Sequence, residues 1–400
     1  MFDAGPCHER RPALTTTGGR LLAETDELLK TPLHAMHVAA GARMVPFAGY
    51  EMPVQYPAGV LKEHLHTRGQ AGLFDVSHMG QVEIWPRDGK METAALALET
   101  LVPVVVLGLK EGRQRYALFT NDEGGVIDDL MIAHRGDHFF LVVNAACKAG
   151  DIAHMRRHLE ETCDIKVPDD RALLALQGPK ADAVLSALAP EAAEMKFMDS
   201  RAVTIDGVDC IVSRSGYTGE DGYEIAVPAG EAEALAGKLL ADEGVEWIGL
   251  GARDALRLEA GLCLYGTDLD DKTTPVESSV EWAIQKARRL GGEREGGFPG
   301  ADTILGQLEN GAEKRRVGLR PEGRAPVRAG AELFTDPEGG GAIGTVTSGG
   351  FGPSAGGPIA MGMMPIKMSE EGTTLYAEVR GKRLPVTVSA LPFVKQTYKR

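Results

Sequence analysis

Three acids, an arginine and a glycine-rich turn carry the chemistry legible in this chain. Asp128 and Asp129 interrupt the run Val126-Ile127-Asp128-Asp129-Leu130-Met131-Ile132-Ala133, which otherwise reads as a strand. Asp is depleted in strands, and successive side chains point to opposite faces. If the sheet covers a core, one of the two must point inward, where an acid is costly unless it is partnered or working. Glu224 follows Arg214-Ser215-Gly216-Tyr217-Thr218-Gly219-Glu220-Asp221-Gly222, with three glycines in seven residues. Glycine tolerates positive φ and lets a ligand or another backbone approach closely. The strand that follows, Tyr223 to Pro228, alternates, so Tyr223 and Ile225 share one face and Glu224 and Ala226 the other. Glu224 is then an acid on a rigid element beside room for a planar ligand. Solvated acids on a plain hairpin are the simpler alternative. Arg253 falls in the first turn of a helix beginning at Gly249, where a cation opposes the helix dipole. It is better placed to fork onto a carboxylate or carbonyl. An intrahelical pair with Asp254 or Glu259 serves Arg257 better than Arg253.

The surrounding pattern supplies elements to hold these groups. Thr31-Pro32 is read as an N-cap and first helical residue. Ala58 to Ala71 reads as a helix and Leu73 to Ser77 as a strand. His64 and His66 lie two apart on that helix and do not share a face, which argues against a metal pair. His78 reads as a satisfied structural histidine. Tyr116 to Asn144 is a β-meander with turns at Asn121 to Gly125 and Gly136-Asp137. Helices are expected at Ala149 to Glu161 and Glu231 to Asp242, with a buried strand at Leu173 to Gln177. This mixture is α+β and not an alternating doubly wound sheet. Beyond residue 308, short strands recur at Arg316–Leu319, Glu332–Thr335, Ile343–Thr347, Ala360–Met364, Leu375–Val379 and Leu384–Val388, which indicates a small β-barrel or sandwich. Gly339 to Gly344 satisfies G-x-G-x-x-G, but no helix follows, so a dinucleotide site is rejected.

Composition narrows the class. Four hundred residues imply two or three domains. A net charge of -14 argues against a general nucleic-acid binder. The longest apolar run, near Leu101 to Leu109, is far short of a membrane span. Five scattered cysteines without a C-x-x-C pair fit a reducing compartment and no zinc site. Residues 1–30 mix arginines with acids and read as a flexible leader outside the fold.

The motifs Phe74-Asp75-Val76-Ser77-His78-Met79, Asn121 to Leu130, Ala175 to Pro179, Gly216 to Gly222, Gly251 to Gly261, Thr274-Pro275-Val276-Glu277 and Leu391-Pro392-Phe393-Val394 occur in this order. Together they resemble the aminomethyltransferases of the glycine cleavage system, the T-proteins, across about residues 31 to 400. The resemblance implies a three-domain cloverleaf around a central folate site, closed by a C-terminal β-barrel. The implied divisions are 31–83 with 168–272, 84–167 with 273–307, and 308–400. It implies transfer of a one-carbon unit from an aminomethyl-lipoyl carrier, the H-protein, to tetrahydrofolate, with release of ammonia. No metal, nucleic acid or membrane takes part, and the expected compartment is the cytoplasm, or the mitochondrial matrix in a eukaryote. Residue by residue, Asp129 matches the family's essential aspartate. Glu224, Arg253 and Tyr398 match substrate-binding positions, Tyr217 matches a residue lining the pterin, and Val142 is carried over with them as folate-binding. Lys286, Arg288 and Arg289 offer a docking face for an acidic carrier, or a solvated basic loop. Two rivals share the folate pocket. One is a non-catalytic relative serving iron–sulfur assembly, which carries Cys where Gly216 stands. The other comprises folate-dependent demethylases acting on a different carbon donor.

Overall fold

The computed structural model describes residues 27–400. The expected leader therefore lies mostly outside the described residues. Its last part is tied down, since the Leu29 N–H donates to Gly49 O and Leu29 O accepts from Glu51 N–H.

Two large sheets, a two-stranded sheet of Arg43–Phe47 and Tyr50–Gln55, and a barrel make up the described residues. The first sheet runs in the order Ser200–Ile205, Val208–Ser213, Gly222–Pro228, Arg171–Gln177, Ala71–Asp75, Val245–Trp247. Helices Ala181–Leu188 and Ala232–Leu240 cover one face, where Tyr223 and Ile225 join a core with Leu174, Leu185 and Leu235. The second sheet runs Gln114–Thr120, Val126–His134, Phe139–Val143, Gly80–Pro86, Cys163–Lys166. Helices Met91–Glu99 and Lys148–Leu159 close its core around Leu98, Phe119, Ile132 and Leu159. Ala133 and Phe140 of this sheet pack with Phe74, Ala175 and Ala226 of the first, so an apolar seam joins the two lobes. Helix Leu250–Glu259 seals that seam with Ala252 and Leu256.

The C-terminal lobe is a closed barrel of Lys314–Pro321, Gly357–Pro365, Gly344–Gly352, Glu332–Phe334, Thr374–Val379 and Lys382–Ser389. All six expected strands are present, most of them longer than their apolar cores. No helix follows Gly344, which opens a strand.

Several expectations need correction. Thr31 is no N-cap: helix His34–Ala39 starts after Leu33, and only the backbone oxygen of Thr31 accepts from His34 N–H. The expected helix over 58–71 is shorter, Val60–Gly69, because Gly59 with φ of 83° blocks its start. A break after residue 83 would cut strand Gly80–Pro86, which pairs along its length inside the second sheet. A break after 307 would cut helix Ala301–Asn310.

Candidate functional site

One cavity of about 1000 Å3 opens where the three lobes meet. Asp129 and Val142 reach it from the second sheet, Tyr217, Glu224 and Arg253 from the first lobe, and Tyr398 from the tail after the barrel. All six residues singled out from the sequence therefore line one space.

Strand alternation sorts the Asp pair. Asp128 is fully buried against the second-lobe core side, while Asp129 is part-exposed on the cavity side. Asp129 Oδ2 accepts from the Tyr116 hydroxyl at 3.0 Å and Oδ1 from Asn144 Nδ2 at 2.8 Å. Burial and the neighbouring Asp128 charge push its carboxyl up to about 7. Tyr116 reaches Asp129 diagonally, since Leu118 is the residue directly opposite. Trp282, 62% exposed, stacks on Tyr116 with ring centroids 5.3 Å apart.

The glycine turn builds the opposite wall. Gln177 Nε2 donates to Ser215 O and its Oε1 accepts from the Thr218 hydroxyl, which pins the loop from below. A Cβ at Gly216 would meet Gln177 Oε1 at 1.8 Å, so any side chain there must displace the Gln177 amide. The Ser215 hydroxyl donates to Glu224 Oε2 at 2.7 Å and orients that carboxylate. The Tyr217 hydroxyl donates to Cys263 O. Its ring lies under the Arg253 guanidinium, 4.9 Å from the centroid.

Arg253 is a buried cation of the site with a nitrogen left unsatisfied. Its Nη1 is buried and has no hydrogen-bond partner among the described residues. Desolvation lowers the pKa of its guanidinium, while the Glu224 charge opposes that shift. Arg257, one turn on, is consumed by Asp254 and Asp268, both at 2.8 Å. Tyr398 stacks on Phe197 at 4.1 Å, and burial pushes its phenol up to about 12.

Of the two histidine readings, one holds and one does not. His64 and His66 do face apart: His64 meets Glu259 at 3.1 Å, and His66 Nε2 lies 3.0 Å from Gly244 O. His78, expected to be satisfied, lines the cavity with Nδ1 unpartnered among the described residues. Burial holds it at about 4, hence neutral. The basic docking face does not form as expected. Arg288 is buried and bonds Glu99, and Arg289 donates to Ile284 O and Glu281 O. No metal-holding group of three His, Cys, Asp or Glu occurs among the described residues. No helix among them is long and apolar enough to cross a membrane.

Residues 33–288 match the family model described as the GCVT N-terminal domain, and residues 314–395 match the glycine cleavage T-protein C-terminal barrel domain. The chain belongs to the glycine cleavage T-protein family. A mitochondrial aminomethyltransferase of Dictyostelium discoideum is 45% identical over 398 residues, covering 95% of this chain and 96% of its own. That of Mus musculus is 44% identical, covering 99% and 96%. The crystal structure of glycine cleavage system aminomethyltransferase T from Bartonella henselae superposes with a TM-score of 0.87 at 45% identity, over 94% of this chain and 100% of that one. The T-protein fold thus accounts for the sheets and the barrel.

Asn144 and Tyr116 were missed from the sequence. Alternation on the meander puts Tyr116 on the same face as Leu118 and so beside Asp129, which was a usable signal. Asn144 sits just past its strand, and nothing in the local pattern marks it.

Proposed function

We infer that this chain is the aminomethyltransferase of a glycine cleavage system, as its relatives are named over nearly their whole length. The co-substrate is tetrahydrofolate, and the aminomethyl donor is the lipoyl arm of a carrier protein. Tetrahydrofolate supplies two neighbouring amine nitrogens, N5 and N10, that hold the one-carbon unit after ammonia leaves.

The residues present fit such a ligand. A flat heterocycle has an aromatic wall in Tyr217, an acceptor in Glu224 for its N3 and 2-amino donors, and a buried donor in Arg253 for its carbonyl. The orphaned Nη1 of Arg253 is the observation that carries this reading. A buried guanidinium nitrogen without an acceptor is costly, and a ligand carbonyl removes that cost. Asp129, held by Tyr116 and Asn144, orients the N10 proton and accepts it.

The relatives are named mitochondrial, and none of the four cysteines among the described residues forms a disulfide. We place the chain in a reducing compartment, the mitochondrial matrix in a eukaryote. The test is an assay with aminomethyl-loaded lipoyl carrier and tetrahydrofolate that follows ammonia and methylene-folate together. Ammonia release without methylene-folate would remove the folate acceptor from this account.

A further inference from the structure

Behind Asp129 lies a cluster whose chemistry the transfer reaction does not itself explain. Asp128 is fully buried, with Oδ2 accepting from Asn144 N–H at 3.0 Å and Oδ1 from Asn144 Nδ2 at 2.9 Å. The same Asn144 amide donates to Asp129 Oδ1 and Asp129 O, so one side chain ties both acids together. Asp151, in the first turn of helix Lys148–Leu159, is also fully buried. Neither of its carboxyl oxygens meets a donor among the described residues. Its hydrogen-bonding neighbour is the carboxyl of Asp128, which the Cys147 thiol also bonds. Two carboxylates cannot hydrogen-bond each other unless one carries a proton. The donors lie on Asp128 and none lies on Asp151, which decides where that proton goes.

We propose that Asp128 and Asp151 share one proton that resides on Asp151, and that the Asp128 anion held in this way sets the position of Asp129 and the pH at which it ionises. Asp128 and Asp151 are positioning residues, and the inference rests on Asp129 being the base. The titratable groups acting with Asp129 are Tyr116, Asp128, Asp151, Tyr217 and Cys263, while Arg253, Arg257, Arg315 and Arg316 line the same cavity. Of the charges, that of Asp128 acts most strongly on Asp129, and it is negative. A base poised near neutral pH is the outcome that general-base transfer favours. Burial and the Asp128 charge hold the Asp151 carboxyl at about 10, in line with its lack of donors.

The test has two arms on the full chain. Carboxyl-carbon NMR of aspartate-labelled protein should show one Asp still protonated at pH 8, and Asp151→Asn should delete that resonance. If every Asp carbon reaches its anionic position by pH 6, or the protonated one survives in Asp151→Asn, the shared proton is overturned. In the second arm, Asp128→Asn should move the acid limb of kcat/KM down by about one to three pH units. Asp151→Leu, which removes one donor from the Asp128 anion and so favours its protonation, should move it the same way. Asp151→Asn still donates to Asp128 and should restore the wild-type limb. An unmoved limb in a folded Asp128→Asn protein overturns the tuning role. A wild type with no transfer at any pH would instead sink the assigned function and leave the NMR result standing.

Discussion

At the scale of single residues, the site pairs one acid that works with others that set its terms. A base acts only when ionised. Because burial and Asp128 push Asp129 up to about 7, kcat/KM should rise with pH through neutrality and level off above it. A flat profile between pH 5 and 8 would remove Asp129 as the base. Asp129→Asn keeps the shape and the Asn144 and Tyr116 contacts but cannot take the N10 proton. Turnover should fall by about a hundred- to ten-thousandfold while folate titrations change little; turnover within threefold of wild type would contradict this. Arg253 predicts the converse. Arg253→Ala removes a buried, unshared donor, so folate affinity should weaken roughly ten- to a hundredfold. Calorimetric titration of tetrahydrofolate measures that directly, and an unchanged Kd would place the ligand elsewhere in the cavity.

At the scale of elements, the glycine turn is held by one glutamine. Gln177 fills the space a side chain at 216 would need, and its amide fixes Ser215 and Thr218. Gly216→Cys must displace that amide and with it the loop carrying Ser215, the partner of Glu224. A loss of about 1–3 kcal/mol is expected, read as a lower midpoint in denaturant, with folate binding weakened in parallel. A folate-binding relative with Cys at this point therefore needs a different packing under its turn. The elements show why some of this could be read early and some could not. Period-two alternation alone separates Tyr223 from Glu224 and Asp128 from Asp129, because each strand has one core face. It also carries Tyr116 to Asp129. Pairings between distant segments left no such trace. Arg288 looked like part of a basic surface, yet its charge is buried on Glu99, 189 residues away in sequence. Asp151 falls in the first turn of a helix, where nothing in the sequence marks it, and only the fold sets it against Asp128.

At the scale of the whole molecule, the cavity exists only while the lobes keep their places, and charged groups buried at the junctions hold them there. Arg257 is central to this. It leaves helix Leu250–Glu259 to meet Asp268 at 2.8 Å, and its other nitrogen donates to Ser348 Oγ on barrel strand Gly344–Gly352 at 2.9 Å. Asp268 in turn accepts from Ser348, from Thr347 and from Leu264 N–H, so one carboxylate joins the body to the barrel. The tail beyond the barrel closes the circuit. Thr397 Oγ1 donates to Glu220 and Lys399 O accepts from Phe197 N–H, which sets Tyr398 on Phe197 at the cavity. Removing Arg257 strands Asp268 as a buried, largely uncompensated charge, a change that typically costs about 3–5 kcal/mol. Arg257→Ala should therefore lower stability by that order and weaken folate binding, although Arg257 is already spent on acids within the protein. Replacing Asp268 by Asn in the same chain removes the stranded charge, so the double variant should recover part of the loss. A double-mutant cycle in urea measures this coupling. If the two losses simply add, this ion pair does not couple the body to the barrel, and the lobes need another explanation for their fixed arrangement around the site.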